Sequence, residues 1–418
     1  MEELSGANTS FTLDLFKQLA KNESKNILFS SWSIFGALGM VYQGARGNSA
    51  TQMAEVLHFN QVQGDESYLE STTPPAPCDK EQQAQKPDYH FPTHKTDHSD
   101  TNSIILSGFK SLNSEINKTN QNYQLKTANN LYGDKSYEIS KEYLNLIETY
   151  YNAKPQAVNF ATAAETARKE INSWVEKQTA SKINNLLPEG SVNSLTAMVL
   201  VNAIYFHGNW ANTFKKSNTK EKRFRLSKTT SKPVQMMFKK DKCNIYHDDS
   251  LDALILLLPY VSNDLSMLIL LPDDITDNST GLEKLERELT PEKLMEYTRP
   301  GVMENISVEV FLPKTKLEQK YDFRETLSVM GMSDVFSQGK ADLSGMSKRN
   351  DLFLSQVYHK THVEINEEGT EAAAATGAVV NARSRETCVR FEADHPFLFF
   401  IRYNKTNTIL FCGRVCSP

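Results

Sequence analysis

The spacing of apolar positions changes along the chain, and each change predicts an element. Phe11, Leu15 and Leu19 recur every fourth residue behind Asn8, Thr9 and Ser10, which predicts an amphipathic helix with a polar cap. Residues 26–30 read as a short strand. The following run, Trp32, Ile34, Phe35, Gly36, Ala37, Leu38, Gly39, Met40, Val41 and Tyr42, is apolar all round and predicts a buried helix whose glycines allow close approach. Ala164, Ala167, Ile171, Trp174, Val175 and Gln178 make one stripe of another helix, and Leu282, Leu285 and Leu289 mark a short one.

Strand patterns fill much of the remainder. Residues 197–206 are almost continuously apolar, interrupted by Asn202, so this strand must be covered on both faces. The amide inside it has to find hydrogen-bond partners. Further strands are read at 254–258 and 265–271, and in the alternation of Ile306, Val308, Val310 and Leu312. Val357, His359, Thr361, Val363 and Ile365 alternate with Tyr358, Lys360, His362, Glu364 and Asn366. Residues 389–401 lead to a last strand at 408–411 across the polar turn 404–407.

Two stretches fit neither pattern. Residues 61–101 carry Pro74, Pro75, Pro77, Pro87 and Pro92 among glutamines, histidines and acids, and are expected to be disordered because they cannot bury a core. His90, His94 and His98 have helical ligand spacing, but Pro92 lies between the first two, so a solvated tract is the better reading. Gln82, Gln83 and Gln85 lie in the same tract.

The second stretch is 367–390. It reads Glu367, Glu368, Gly369, Thr370, Glu371, then Ala372, Ala373, Ala374 and Ala375, then Thr376, Gly377, Ala378, Val379, Val380, Asn381, Ala382, Arg383 and Ser384. Most loops are polar and punctuated, whereas residues 372–382 are small and uncharged. Extended, the segment places Thr370, Ala372, Ala374, Thr376, Ala378 and Val380 on one side, all fit to lie on a core. Its alanines also tolerate a helix, and its length suits a tether. It therefore has two possible homes, inside a sheet or out in solvent. In an exposed extended loop, Arg383 is a point of entry for a protease with an acidic specificity pocket.

Composition narrows the function classes. No Pro/Ser/Gly-rich linker divides the 418 residues, so one large domain, 1–418, is expected. The charge balance of 46 basic against 51 acidic residues, net -5, argues against a nucleic-acid partner. No apolar run approaches the roughly 20 residues that span a bilayer, so no membrane partner is expected. Cys78, Cys243, Cys388, Cys412 and Cys416 are odd in number, scattered and without metal spacing, which favours a reducing compartment. Residues 1–8 lack a basic region followed by an apolar run, so no cleavable signal is expected. There is no Gly-x-Ser-x-Gly elbow, phosphate-binding glycine loop, His-Glu-x-x-His or Cys-x-x-Cys, hence no expected active site, cofactor or metal. The basic run Lys215, Lys216, Lys220, Lys222, Arg223, Arg225 and Lys228 serves either a polyanion or, more commonly, edge-strand solubility.

The run 367–375, the block Ala393-Asp394-His395-Pro396-Phe397-Leu398-Phe399 and the block Thr408-Ile409-Leu410-Phe411-Cys412-Gly413-Arg414 together resemble the serpins, specifically the ovalbumin-type intracellular branch. The resemblance covers nearly the whole chain. It implies an α+β fold of three β-sheets and about nine helices with an exposed reactive-centre loop at 367–390, and it makes 61–101 an insertion between the third and fourth helices. The family's scissile bond, counted fourteen residues from the hinge glycine Gly369, falls between Arg383 and Ser384. The hinge is then Glu367, Gly369, Thr370, Glu371, Ala372, Ala373, Ala374 and Ala375.

The resemblance also assigns residues away from the loop. Asn202 and His359 would face each other across the gap that the loop enters, with Ser30 and Ser33 below, although Asn202 bonded to nearby backbone is an equal alternative. Ser31 stands where the family usually has proline, so a looser turn is expected there. Trp210, Lys314 and Glu367 would cluster at the top of the gap, Lys314 and Glu367 as an ion pair; otherwise both charges belong to solvated faces.

The implied activity is suicide-substrate inhibition of a trypsin-like serine protease through a covalent complex, by a monomer without cofactor. Thr370 favours this over a non-inhibitory storage or binding role, since non-inhibitory relatives carry a bulky charged residue there. Trapping of papain-like cysteine proteases is disfavoured because Ala382 offers little to their apolar subsite. The branch implies a cytoplasmic location, with nuclear or exported forms known among members that lack a cleaved signal, though the Lys/Arg cluster of a nuclear address is missing from 61–101.

Overall fold

The computed structural model describes residues 1–21, 24–62, 98–118, 123–368 and 388–418. Among these, nine α-helices form: α1 (Glu2–Ala20), α2 (Ser31–Gly44), α3 (Gly47–Val56), α4 (His98–Ile116), α5 (Lys141–Tyr151), α6 (Phe160–Gln178), α7 (Glu283–Glu288), α8 (Pro291–Glu296) and α9 (Arg324–Met330). The strands begin with β1 (Ile27–Phe29), β2 (Tyr123–Asp134), β3 (Gln156–Val158), β4 (Met198–Gly208), β5 (Lys220–Arg225), β6 (Ser231–Asp248) and β7 (Ala253–Pro259). They continue with β8 (Leu265–Pro272), β9 (Glu304–Pro313), β10 (Thr315–Asp322), β11 (Gln356–Ile365), β12 (Val389–Glu392), β13 (Phe397–Tyr403) and β14 (Thr408–Val415).

Two hydrogen-bonded sheets result. The larger runs β1-β14-β13-β8-β7-β6-β9-β12, with β5 also on β6. β6 is 18 residues long and pairs in turn with β5, β9 and β7, so the second and third of the three expected sheets are continuous through it. The smaller sheet runs β10-β11-β4-β2-β3. Its two central members, β4 and β11, are parallel. Close packing in the larger sheet requires Gly413, where an added Cβ would lie 2.2 Å from the Phe399 ring.

The period of two divides β4 between two cores. Leu200, Ile204 and Phe206 belong to the main core with the larger sheet and α2. Val199, Val201, Ala203 and Tyr205 face a second cluster, built with Phe160, Ala167, Ile171 and Val175 of α6. The helical stripe read from the sequence thus covers one face of the five-stranded sheet, and the continuous apolar run of β4 is what coverage on both sides demands.

Several expectations are corrected. α1 begins at Glu2, not after Ser10, because the Asn8 amide donates to Ile409 O at 2.9 Å instead of capping, and Thr9 donates to Ser5 O at 2.9 Å inside the helix. The strand expected over 389–401 is divided into β12 at one edge and β13 in the interior, with a corner at 393–396. α4 starts at His98, so the end of the 61–101 stretch is helical; residues 63–97, including Cys78, the three glutamines, His90 and His94, lie outside the described residues. The turn at Ser31 is well tied: Ser30 caps α2 by accepting from Ser33 N, and the Ser31 hydroxyl donates to Ile409 O at 2.8 Å.

Candidate functional site

The seam between β4 and β11 runs from a foot, where both strands begin, to a top, where the chain leaves Ile365 for Asn366, Glu367 and Glu368. Eight register pairs join the strands, Gln356 with Val199 through Val363 with Phe206. Asn202 and His359 fall opposite each other within this ladder, and both are fully buried.

Their hydrogen bonds determine the histidine's tautomer. Ser30 N–H points at His359 Nε2 from 3.0 Å and can only donate. Nε2 is therefore an acceptor, Nδ1 carries the proton, and it donates to Asn202 Oδ1 at 2.7 Å. The Thr361 hydroxyl donates to the same Nε2 at 2.6 Å. Asn202 completes its amide by donating to Ser33 Oγ at 2.8 Å, while Ser30 Oγ donates to Leu410 O at 2.8 Å. With Phe323 stacked on the ring at 5.5 Å, burial holds the imidazole neutral, its pKa lowered to about 3. One buried polar cluster thus ties β4, β11, the start of α2 and β14.

The top is held by a second cluster. Trp210, stacked on Tyr260 at 4.6 Å, donates its indole N–H to Asn366 O at 2.8 Å. Glu367 is buried, with Lys314 Nζ 2.9 Å from one carboxylate oxygen and the Thr219 hydroxyl donating to the other at 2.8 Å. Burial alone would raise its pKa, but the bonds from Lys314 and Thr219 outweigh it and hold the carboxylate below its ordinary range. Glu368 reaches Lys216 at 3.3 Å.

At the foot, Ser355 links the strands twice. Its hydroxyl accepts from Ala197 N at 2.9 Å, and its own N–H donates to Met198 O at 2.8 Å. Just beyond lies an open groove of about 700 Å³, bordered by Thr196, Ala197, Arg324, Phe353, Ser355 and Gln356.

The structure therefore gathers Ser30, Ser33, Asn202 and His359 in one place, and Trp210, Lys314 and Glu367 in another. Gly369, Thr370, Glu371, Ala372, Ala373, Ala374, Ala375, Arg383 and Ser384 lie outside the described residues. Sequence reasoning missed Thr361, Thr219 and Ser355. Thr361 was within reach, since it shares a strand face with His359 two residues earlier; nothing local points from Thr219 to Glu367, 148 positions away. Among the described residues no three His, Cys, Asp or Glu side chains converge as a metal site, and no helix is long and apolar enough to cross a membrane.

Comparison with known proteins agrees with this architecture. Residues 6–418 match the profile of the family described as Serpin (serine protease inhibitor). Serpin B10 of Homo sapiens is 52% identical over 420 residues, with 100% of each chain covered. Plasminogen activator inhibitor 2 of Homo sapiens is 48% identical over 424 residues, again with 100% of each chain covered. The crystal structure of uncleaved ovalbumin superposes with a TM-score of 0.82 at 38% identity, covering 100% of both chains. The chain belongs to the serpin family, a family of protease inhibitors and not of enzymes, and to its ovalbumin-type branch.

Proposed function

We propose that this serpin is a suicide-substrate inhibitor of trypsin-like serine proteases, cut after Arg383, which traps the enzyme by inserting residues 370–383 between β4 and β11. The observation that carries the reading is the parallel pairing of β4 and β11, with the chain leaving the end of β11 at the top of their seam. A segment that turns back from there runs antiparallel to both neighbours. Insertion thus exchanges one parallel ladder for two antiparallel ones, the slightly stronger kind.

The chemistry is the protease's. Its serine oxygen attacks the Arg383 carbonyl carbon, the bond to Ser384 breaks, and the Ser384 nitrogen leaves as an amine after taking up a proton, with Arg383 held as an ester. The freed segment has 14 residues, Thr370 at one end and Arg383 at the other. A net gain of on the order of ten hydrogen bonds at about 1 kcal/mol each is comparable with the roughly 5–15 kcal/mol stability of a domain. The uncut protein is then kinetically held, and loop insertion is the release of that strain. Among the described residues, free thiols at Cys243, Cys388, Cys412 and Cys416 are in keeping with a reducing, cytoplasmic setting.

Incubation with arginine-specific serine proteases tests the reading. A denaturant-resistant complex is expected, together with a 35-residue peptide that begins at Ser384. Arg383→Ala is expected to abolish both. A peptide beginning at Glu386 would overturn the register, and cleavage by the whole panel without any complex would overturn inhibition.

A further inference from the structure

We propose that the outer face of β6, β9 and β12 beside Cys388 is a docking surface for the target protease, and that it selects an enzyme whose surface next to the cleft is acidic. The inference rests on the inhibitory reading above and adds a specificity-determining surface to it.

Three strands build the face. Register sets Lys240, Glu309 and Arg390 in one row across β6, β9 and β12, and Phe238, Phe311 and Glu392 in the next. Lys242 stands opposite Ser307, whose hydroxyl oxygen is 3.8 Å from the Cys388 sulfur. Lys239, Cys243, Val308, Val310 and Phe391 alternate with these positions and are buried, so the rows point outward. The rings of Phe238 and Phe311, 4.8 Å apart, form an aromatic floor. Lys222 of β5 and Arg390 lie over the Phe311 ring at 4.0 and 4.6 Å, and both reach Glu392. Lys240 and Lys242 are exposed and make no ion pair among the described residues. Lys222, Lys240, Lys242 and Arg390 thus outweigh Glu309 and Glu392, giving a positive face on a chain of net charge -5.

Chain length brings the protease to this face. From the bond after Arg383 to the exposed Cys388 is a span of five residues, at most about 17 Å of chain. That is under two Debye lengths at 0.1 M salt, about 10 Å each. An enzyme domain is on the order of 20 Å in radius, so the side of the protease that lies toward Ser384 comes nearer still to Lys240 and Lys242. The basic run 215–228 is a poorer candidate, because much of it is committed internally. Lys216 pairs with Glu368, Lys222 with Glu392 and Arg225 with Asp274 and Asp394, and Lys228 donates to Thr276 O. No continuous stripe of free bases is left there for a long polyanion. A compact patch with an aromatic floor and two free lysines fits the acidic surface of a folded partner.

Anionic and cationic trypsins cut at the same residue types and differ in surface charge. Each is mixed with the full-length protein, and with the double variant Lys240→Glu, Lys242→Glu, at about 50 and about 300 mM salt. The rate of denaturant-resistant complex formation is followed. At low salt the anionic enzyme is expected to be trapped about tenfold faster than the cationic one, with the gap closing at high salt. The double variant should melt like the wild type and lose the preference. Equal rates for the two enzymes at low salt, or a double variant that keeps the preference, overturns this inference and leaves the inhibitory reading standing. Equal acceleration of both enzymes by heparin, lost in the double variant, assigns the face to a polyanion and overturns it as well. No complex with either enzyme overturns both readings.

Discussion

His359 and Asn202 stand at the same level of two parallel strands, and the imidazole Nδ1–H donates to the amide oxygen across 2.7 Å in a fully buried setting. The bond fastens the seam at mid-height. Asn202→Ala would leave that N–H unpaired, which costs about 1–3 kcal/mol. The intact protein should therefore unfold at lower urea. On the proposed mechanism an inserted segment would part the two residues in the nicked form, so the same substitution should cost much less there. Equal losses in both forms would show that the bond is unrelated to the opening.

The same histidine predicts a pH dependence. Its folded-state pKa, about 3, lies below the ordinary value of 6.5, so between those values the unfolded chain binds the extra proton. This contribution is fully present above pH 6.5 and is lost as pH falls toward 3. Each unit of separation is worth about 1.4 kcal/mol, which gives an upper bound near 5 kcal/mol. Melts from pH 7 to 4 should fall less steeply for His359→Gln than for the wild type.

At the top of the seam, Lys314→Ala would leave the buried Glu367 carboxylate with Thr219 alone. Because Lys314 is half exposed, the expected loss is about 1–3 kcal/mol, below that of a fully buried pair. The Glu367 pKa should rise, so the deficit is largest near pH 7 and shrinks as acid protonates the carboxyl. Urea unfolding at pH 7 and 4.5 reads both effects.

Thr370 tests the hinge. Thr370→Arg puts a long charged chain where the entering strand needs a small side chain, since burying an unpaired charge is expensive. Cleavage after Arg383 should continue at an unchanged rate while the yield of denaturant-resistant complex falls. A gel that follows complex and cut inhibitor together measures the ratio.

Much of this architecture was legible in periodicity. The all-round apolar run of α2, the unbroken strand β4 with its one amide and the alternation of β11 each admit one reading, because burial on every face leaves a plain imprint on residue choice. The start of α1 was misread because Asn8 is as good a cap as it is a buried donor, and its partner, Ile409, comes from the other end of the chain. The break between β12 and β13 was missed for a related reason. β12 alternates Val389 and Phe391 with Arg390 and Glu392 and β13 is largely apolar, both strand-like patterns, and what parts them is the pairing of β12 with β9 and of β13 with β8 and β14. Residues distant in sequence but adjacent in the site, such as Thr219 and Glu367, leave no local trace.

If the cut segment inserts as proposed, the shared direction of β4 and β11 would set the order of events. A segment tethered at the end of β11 can close only from its anchored end, each residue laid down beside the one before, as teeth mesh in a zip. On the proposed mechanism the small residues next to the anchor would engage first, and Arg383, with whatever it carries, would travel last and farthest. Such a cargo would be carried the full length of the sheet before the final bonds form, and an obstruction near the anchor would halt the journey at its start.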